Sequence, residues 1–134
     1  MKSPTEMRYL LDSTLLIDHA NREPAALAML RRLFEEGHDL YTCDVVTCET
    51  LSFGGADSSD LRHIESLLDA LEFVALGPSA ARWAGSSRRA RHRAGGKRAV
   101  GDALIAGLAI ELGAVVVTRN VRDFTRQGVE TLTY

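Results

Sequence analysis

Long apolar runs are absent: no stretch approaches the roughly 20 residues that cross a bilayer, so no membrane association is expected. The start of the chain, Met1-Lys2-Ser3-Pro4-Thr5-Glu6, lacks a signal-peptide apolar segment, which points to a cytoplasmic protein. Cysteine is scarce. Cys43 and Cys48 stand five apart, matching neither a CxxC redox pair nor a zinc knuckle. They are expected to be small buried apolar residues in a reducing compartment, and on a shared helix they would face apart. His19, His38, His63 and His92 lack the i, i+4 spacing of a zinc-binding helix. No GxGxxG or GxxxxGKS/T motif supports a nucleotide cradle. Lysine occurs only as Lys2 and Lys97, neither at a strand end, which counts against a receiver-type signalling module.

What is present suits one globular unit. The 134 residues, 46% hydrophobic, 25% charged and 6% aromatic, are read as a single domain spanning 1–134. A chain of this size buries about two thirds of its unfolded surface, enough for a core without staples. The composition excludes a disordered tail, a collagen-like repeat and a disulfide scaffold. The net charge of -2 hides a strong asymmetry. Between Phe73 and Gly101 there is no acid, yet Arg82, Arg88, Arg89, Arg91, Arg93, Lys97 and Arg98 all fall there. Seven of the 16 basic residues sit in that window, leaving nine against all 18 acids elsewhere. An acidic body with one basic segment suits a polyanionic partner.

Strand-like and helix-like segments alternate. Arg8–Leu11 reads as a buried strand ending at Asp12, followed by a short helix from Ser13 to His19. A helix from Pro24 stops at Gly37, and Leu40–Cys43 is a second strand. Asp44 is placed to cap a helix from Val45 to Phe53, which Gly54-Gly55 ends. A further helix opens at Asp57 with an apolar stripe of Leu61, Ile64, Leu67, Leu68 and Leu71. Phe73–Leu76 is strand-like and Gly77-Pro78 a turn. An Ala- and Arg-rich helix from Ser79 loosens near Gly95-Gly96. A small-residue helix from Asp102 to Leu112 stops at Gly113. Ala114–Thr118, a helical turn at Val121–Phe124 and a last strand at Glu130–Thr133 complete the chain. Continuous rather than alternating apolar strands predict an α/β fold: a three-layer α/β/α sandwich around a mainly parallel sheet of about four to five strands.

In such sheets ligands bind beyond the carboxyl ends of the strands. Asp12 follows the first strand, Asp102 starts the small-residue helix, Asp123 lies just past Thr118, and Glu49 sits on the helix after the second strand. Together they are expected to converge on one edge of the sheet. Like charges about 4 Å apart repel by roughly 4 kcal/mol per pair at an effective dielectric near 20. A hard cation with oxygen ligands, Mg2+ or Mn2+, relieves that repulsion. Singly, each acid has a plainer role: a helix cap for Asp12, a dipole contact for Asp102, a solvated side chain for Glu49, a turn with Asn120 for Asp123. Asp18, Asp44, Asp57, Asp60 and Asp69 are assigned only such plain roles.

Four blocks resemble the PIN domain of VapC-type toxins, the ribonucleases of bacterial toxin–antitoxin pairs. They are Tyr9-Leu10-Leu11-Asp12-Ser13-Thr14-Leu15-Leu16-Ile17-Asp18, Val46-Thr47-Cys48-Glu49-Thr50-Leu51, Asp102-Ala103-Leu104-Ile105-Ala106, and Val117-Thr118-Arg119-Asn120-Val121-Arg122-Asp123-Phe124. Order and spacing agree from Tyr9 to the C-terminus. Gly101 stands where the family frequently has a polar residue, and Cys48 and Thr50 replace small and apolar neighbours of the glutamate. The resemblance implies a PIN-like fold and Asp12, Glu49, Asp102 and Asp123 as the catalytic, metal-binding acidic quartet. Asp12 and Asp102 rank first as direct ligands, with Glu49 and Asp123 acting directly, through water, or on the attacking water. Ser13, Thr118 and Asn120 become residues that orient carboxylates or metal-bound water.

The implied activity is Mg2+- or Mn2+-dependent endoribonuclease cleavage of structured cellular RNA, such as tRNA or ribosomal RNA, in a type II toxin–antitoxin system. Arg88, Arg89, Arg91, Arg93, Lys97 and Arg98 are then candidates to hold the RNA backbone while the acids hold metal. Implied partners are a VapB-type antitoxin covering the active site and a second copy in a homodimer. Leu15, Leu16, Leu30, Leu33 and Phe34 are candidates for such surfaces. The alternative is a catalytically silent PIN-like module that binds RNA or protein.

Overall fold

The computed structural model describes residues 7–53, 58–93 and 99–134. The expected breaks at Gly54-Gly55 and Gly95-Gly96, the opening at Asp57, and the basic residues Lys97 and Arg98 lie outside them, as does the side chain of Arg93.

Strand β1 (Arg8–Leu11) leads into α1 (Ser13–Ala20) and α2 (Pro24–Glu35); β2 (Asp39–Cys43) leads into α3 (Asp44–Phe53) and α4 (Ser58–Asp69). Then come β3 (Glu72–Val74), α5 (Pro78–Arg93), α6 (Val100–Leu112), β4 (Val115–Val117), α7 (Val121–Thr125) and β5 (Thr131–Leu132). The five strands form one sheet in the order β3-β2-β1-β4-β5, and each neighbouring pair is parallel. Parallel strands need helical crossovers, which cover the sheet and bury its strands. Leu10, Leu11, Val116 and Val117 are accordingly fully buried, and the apolar sides of α1, α2 and α6 complete the core around them. Helix α1 packs against α2, α3 and α4, while α6 packs against α5 and α7 and touches α3.

The chain leaves β1 toward β2 on one side, and β4 lies on the other. The boundary between β1 and β4 is therefore the point where strand order reverses, and such a point opens a crevice at the strands' carboxyl ends. Register sets Leu11 opposite Val117, so Asp12 and Thr118 emerge side by side. The backbone N–H of Asp12 donates to the carbonyl of Val117 at 2.9 Å, extending the pairing by one residue.

Several expectations shift for local reasons. The third strand covers Glu72–Val74 rather than Phe73–Leu76, because its partner β2 ends at Cys43, paired with Val74. Asp44 heads α3, and its carboxylate accepts the backbone N–H of Leu76 at 3.3 and 3.4 Å, fastening the segment after β3. Pro78 opens α5 instead of closing a turn, as its fixed φ and missing N–H allow. Helix α6 starts at Val100, which places Asp102 within its first turn; it ends at Gly113 in the left-handed conformation (φ 63°). Leu15, Leu16, Leu30 and Leu33 are core residues and unavailable to a partner; only Phe34 of that candidate surface is exposed. Cys43 is buried on β2, but Cys48 is exposed on α3, correcting the expectation for the second cysteine.

Candidate active site

Asp12 is 1% exposed, an expensive place for a carboxylate unless its oxygens are bonded. Thr118 Oγ1, fully buried, donates to Asp12 Oδ2 at 2.7 Å, and Thr14 Oγ1 donates to the same oxygen at 3.1 Å. The backbone N–H of Asn120 in turn donates to Thr118 Oγ1 at 2.9 Å, fixing the hydroxyl so that its proton points to Asp12. Burial pushes the Asp12 carboxyl above the ordinary range, while the bonds from Thr118 and Thr14 pull it back.

Glu49 reaches the same place from α3. Ser13 Oγ, at the first position of α1, donates to Glu49 Oε1 at 3.3 Å. The other oxygen lies against Gly101: a methyl group there would come within 2.6 Å of Glu49 Oε2. A residue without a side chain is what lets α3 and α6 bring their carboxylates to one edge. Burial raises the Glu49 carboxyl, and the charge of Asp12 raises it further.

Asp102 sits at the centre of the electrostatics. Its carboxyl is pushed up to about 6, first by burial, then by the charges of Asp12, Asp123 and Glu49, with Arg91 opposing. Four carboxylates from four elements thus share one field. Asp123, half-buried on α7, is set by a backbone bond from its N–H to the carbonyl of Asn120 at 3.2 Å. Its own carbonyl accepts Gln127 Nε2 at 2.9 Å, and Gln127 Oε1 accepts the Ser87 hydroxyl of α5 at 3.2 Å.

The basic candidates divide. Arg89 is exposed and Arg88 half-buried on α5. Arg91 is half-buried within the field of Asp102, so the acidic and basic groups are contiguous there.

Burial raises the carboxyls of Asp12, Glu49 and Asp102, and neighbouring negative charge raises the last two further; carboxylates so placed make a donor set that suits a hard divalent cation. Among the described residues no three His, Cys, Asp or Glu side chains are already arranged to hold one ion. A hard divalent cation that keeps several of its waters needs only one or two carboxylates, which a looser grouping can supply.

Some residues of the site carry no local signal. Thr14 supports Asp12, and Gly101 admits Glu49. Asp18, assigned only a plain role, is 5% exposed. It accepts Arg119 Nη1 at 2.8 and 2.9 Å and the Tyr134 hydroxyl at 2.6 Å. A cavity of about 370 Å3 opens beside Glu49, lined also by Ser13, Thr14, Ile17, Cys48 and Arg119.

A parallel five-stranded sheet with four acids clustered past the ends of its central strands defines an acidic α/β domain. Its residues 9–129 match the PIN domain, and the chain belongs to the PIN-domain family. It is 33% identical over 117 residues to "Ribonuclease VapC19" of Mycobacterium tuberculosis, a match covering 86% of this chain and 90% of that relative. Two crystal structures share the fold: VapBC2 from Rickettsia felis bound to a promoter DNA fragment (TM-score 0.80, 20% identity, 96% of this chain and 99% of that one), and DNA-bound VapBC from Salmonella typhimurium (TM-score 0.80, 24% identity, 95% and 98%). Among the described residues no helix is long and apolar enough to cross a membrane.

Proposed function

We propose that this chain is a divalent-metal-dependent endoribonuclease, the toxin of a type II toxin–antitoxin pair. The observation that carries the reading is the common field of Asp12, Glu49, Asp102 and Asp123 at the reversal of strand order. The relative named as a ribonuclease supports the reaction class, and the VapBC structures support an antitoxin partner. Dependence on a divalent metal is general in nucleases of this family, and Mg2+ or Mn2+ is the ion that an all-oxygen site of this kind favours.

Asp12 and Asp102 are the residues that would hold the ion directly. Asp12 is the better fixed, with two hydroxyl donors holding one oxygen. When bound, the ion lowers the pKa of a coordinated water and stabilises charge developing on phosphate oxygens. Glu49 and Asp123 position the attacking water, and a carboxylate accepts its proton. Ser13 keeps Glu49 in place through its 3.3 Å bond, as Thr118 does for Asp12. Arg89, Arg88 and Arg91 lie on the helix that borders Asp102 and hold the RNA backbone as it approaches.

Purified protein with Mn2+ and total RNA tests the reading. The parent should cleave, and Asp12→Asn and Asp102→Asn should each lose activity by at least about a hundredfold. Equal cleavage by both variants identifies a contaminant and removes the enzymatic reading, leaving a silent PIN-like binding module.

A further inference from the structure

Asp18 is joined to Arg119 across 101 residues of sequence and to Tyr134 across 116, and none of the three belongs to the acidic quartet. The Asp18 side chain is 7% exposed, whereas that of Arg119 is 59% exposed. The buried partner is thus fixed, and the cation it holds faces outward. Both bonds to Asp18 come from Nη1, so the Nε–Nη2 edge of the guanidinium fork is not committed to that carboxylate. The Tyr134 hydroxyl donates to Asp18 Oδ2 at 2.6 Å, and burial together with this bond keeps the phenol protonated well above its ordinary range. The backbone is tied as well: the N–H of Arg119 donates to Thr14 Oγ1 at 3.2 Å, the hydroxyl that also serves Asp12. Arg119 thus sits one residue from Thr118 and lines the cavity that Glu49 and Ser13 also line.

An arginine whose backbone N–H and one amino group are held, with its remaining face open beside a phosphodiester-cleaving site, is pre-organised for a phosphate. A planar fork recognises phosphate by paired hydrogen bonds, and fixing it beforehand avoids the entropy of ordering a long side chain on binding. We propose that Arg119 binds an RNA phosphate flanking the scissile bond, with Asp18 and Tyr134 as its positioning residues. The cavity beside it, within the roughly 300–1,000 Å3 range of small-ligand pockets, then takes the adjoining nucleotide between Ile17 and Cys48. This rests on the ribonuclease reading above and adds to the α5 basic residues a cation on a separate element, the loop after β4.

The test is steady-state cleavage of a fluorogenic single-stranded oligoribonucleotide that the parent cuts, with Mn2+ present, over about 50–200 mM KCl. All variants are assayed at a temperature where their melting curves confirm folding. Arg119→Gln should raise KM about tenfold with kcat within about twofold, and its salt slope should be shallower by about 0.7, the loss of one contact to a single strand. Arg119→Lys should recover the slope and part of KM, because charge returns without the fork. Tyr134→Phe leaves the guanidinium intact and should raise KM about two- to threefold by loosening its anchor. Unchanged KM and slope in Arg119→Gln, beside an active parent, overturn the proposal while leaving the ribonuclease reading standing. If Arg119→Gln does not fold, unchanged KM in both Arg119→Lys and Tyr134→Phe overturns it equally. A parent that cuts no RNA removes both.

Discussion

Asp102→Asn should make the metal-free protein more stable at neutral pH while abolishing its activity. In the fold the Asp102 carboxyl lies at about 6, against an ordinary value of 3.8. Between these values the native state holds a proton that the unfolded chain has lost. Stability therefore falls as pH rises through that interval and stays at the lower level above it. The full shift corresponds to a ceiling of about 3 kcal/mol. Solvent screening of this half-buried group brings the expected gain to the order of 1 kcal/mol. At an unfolding entropy of about 2.1 cal/mol/K per residue, that is a rise of roughly 3–4 °C in Tm. The assay is thermal unfolding in EDTA from about pH 4 to pH 8. The variant should melt higher than the parent at pH 8, and the two should converge near pH 4, where both side chains are neutral. Adding Mg2+ should raise the parent's Tm and leave the variant nearly unmoved. A variant that is less stable than the parent at pH 8, or a difference that does not depend on pH, would refute the electrostatic account of the site.

Gly101→Ala should spare the fold and cut activity at least about tenfold: its methyl group collides with the mobile end of Glu49, which yields by leaving its place. Circular dichroism and a cleavage assay on the same preparation separate the two effects. Thr118→Val leaves buried Asp12 short of its 2.7 Å donor and should destabilise by about 1–3 kcal/mol, read from denaturant midpoints at pH 8. Charge reversal at Arg89 and Arg91 should weaken RNA binding and flatten its salt dependence; an unchanged slope would remove α5 from the RNA path.

Much of the fold is carried by local pattern. The β-branched run at Val115–Val117 and the apolar Tyr9–Leu11 can only be strands buried on both faces, and Gly113 stops α6 because it alone adopts the left-handed turn cheaply. Asp12 directly follows a strand and Asp123 and Glu49 lie on helices that follow strands, an arrangement that points to one edge of a parallel sheet, whereas Asp102 follows a helix and stands out only through the resemblance of its block to the PIN domain. What local pattern does not carry is pairing over distance. Asp18 looks like any helix acid until Arg119 and Tyr134 fold onto it. His19 and His63 show no metal-like spacing, yet their ring nitrogens stand 3.1 Å apart because α1 packs on α4. Gly101 departs from the family's usual residue, and the reason lies in an oxygen 52 positions earlier in the chain, on Glu49. Leu15 and Leu16 are apolar whether they meet a core or a partner, and only the position of the sheet assigns them to the core.

Calorimetric titration of Mn2+ into the parent and into Asp12→Asn is the most direct measurement of whether these side chains form one cation site. Binding to the parent alone, with protons released increasingly as the buffer is lowered toward pH 6, is the expected result. Equal affinity in both proteins, or no proton release on binding, would contradict it.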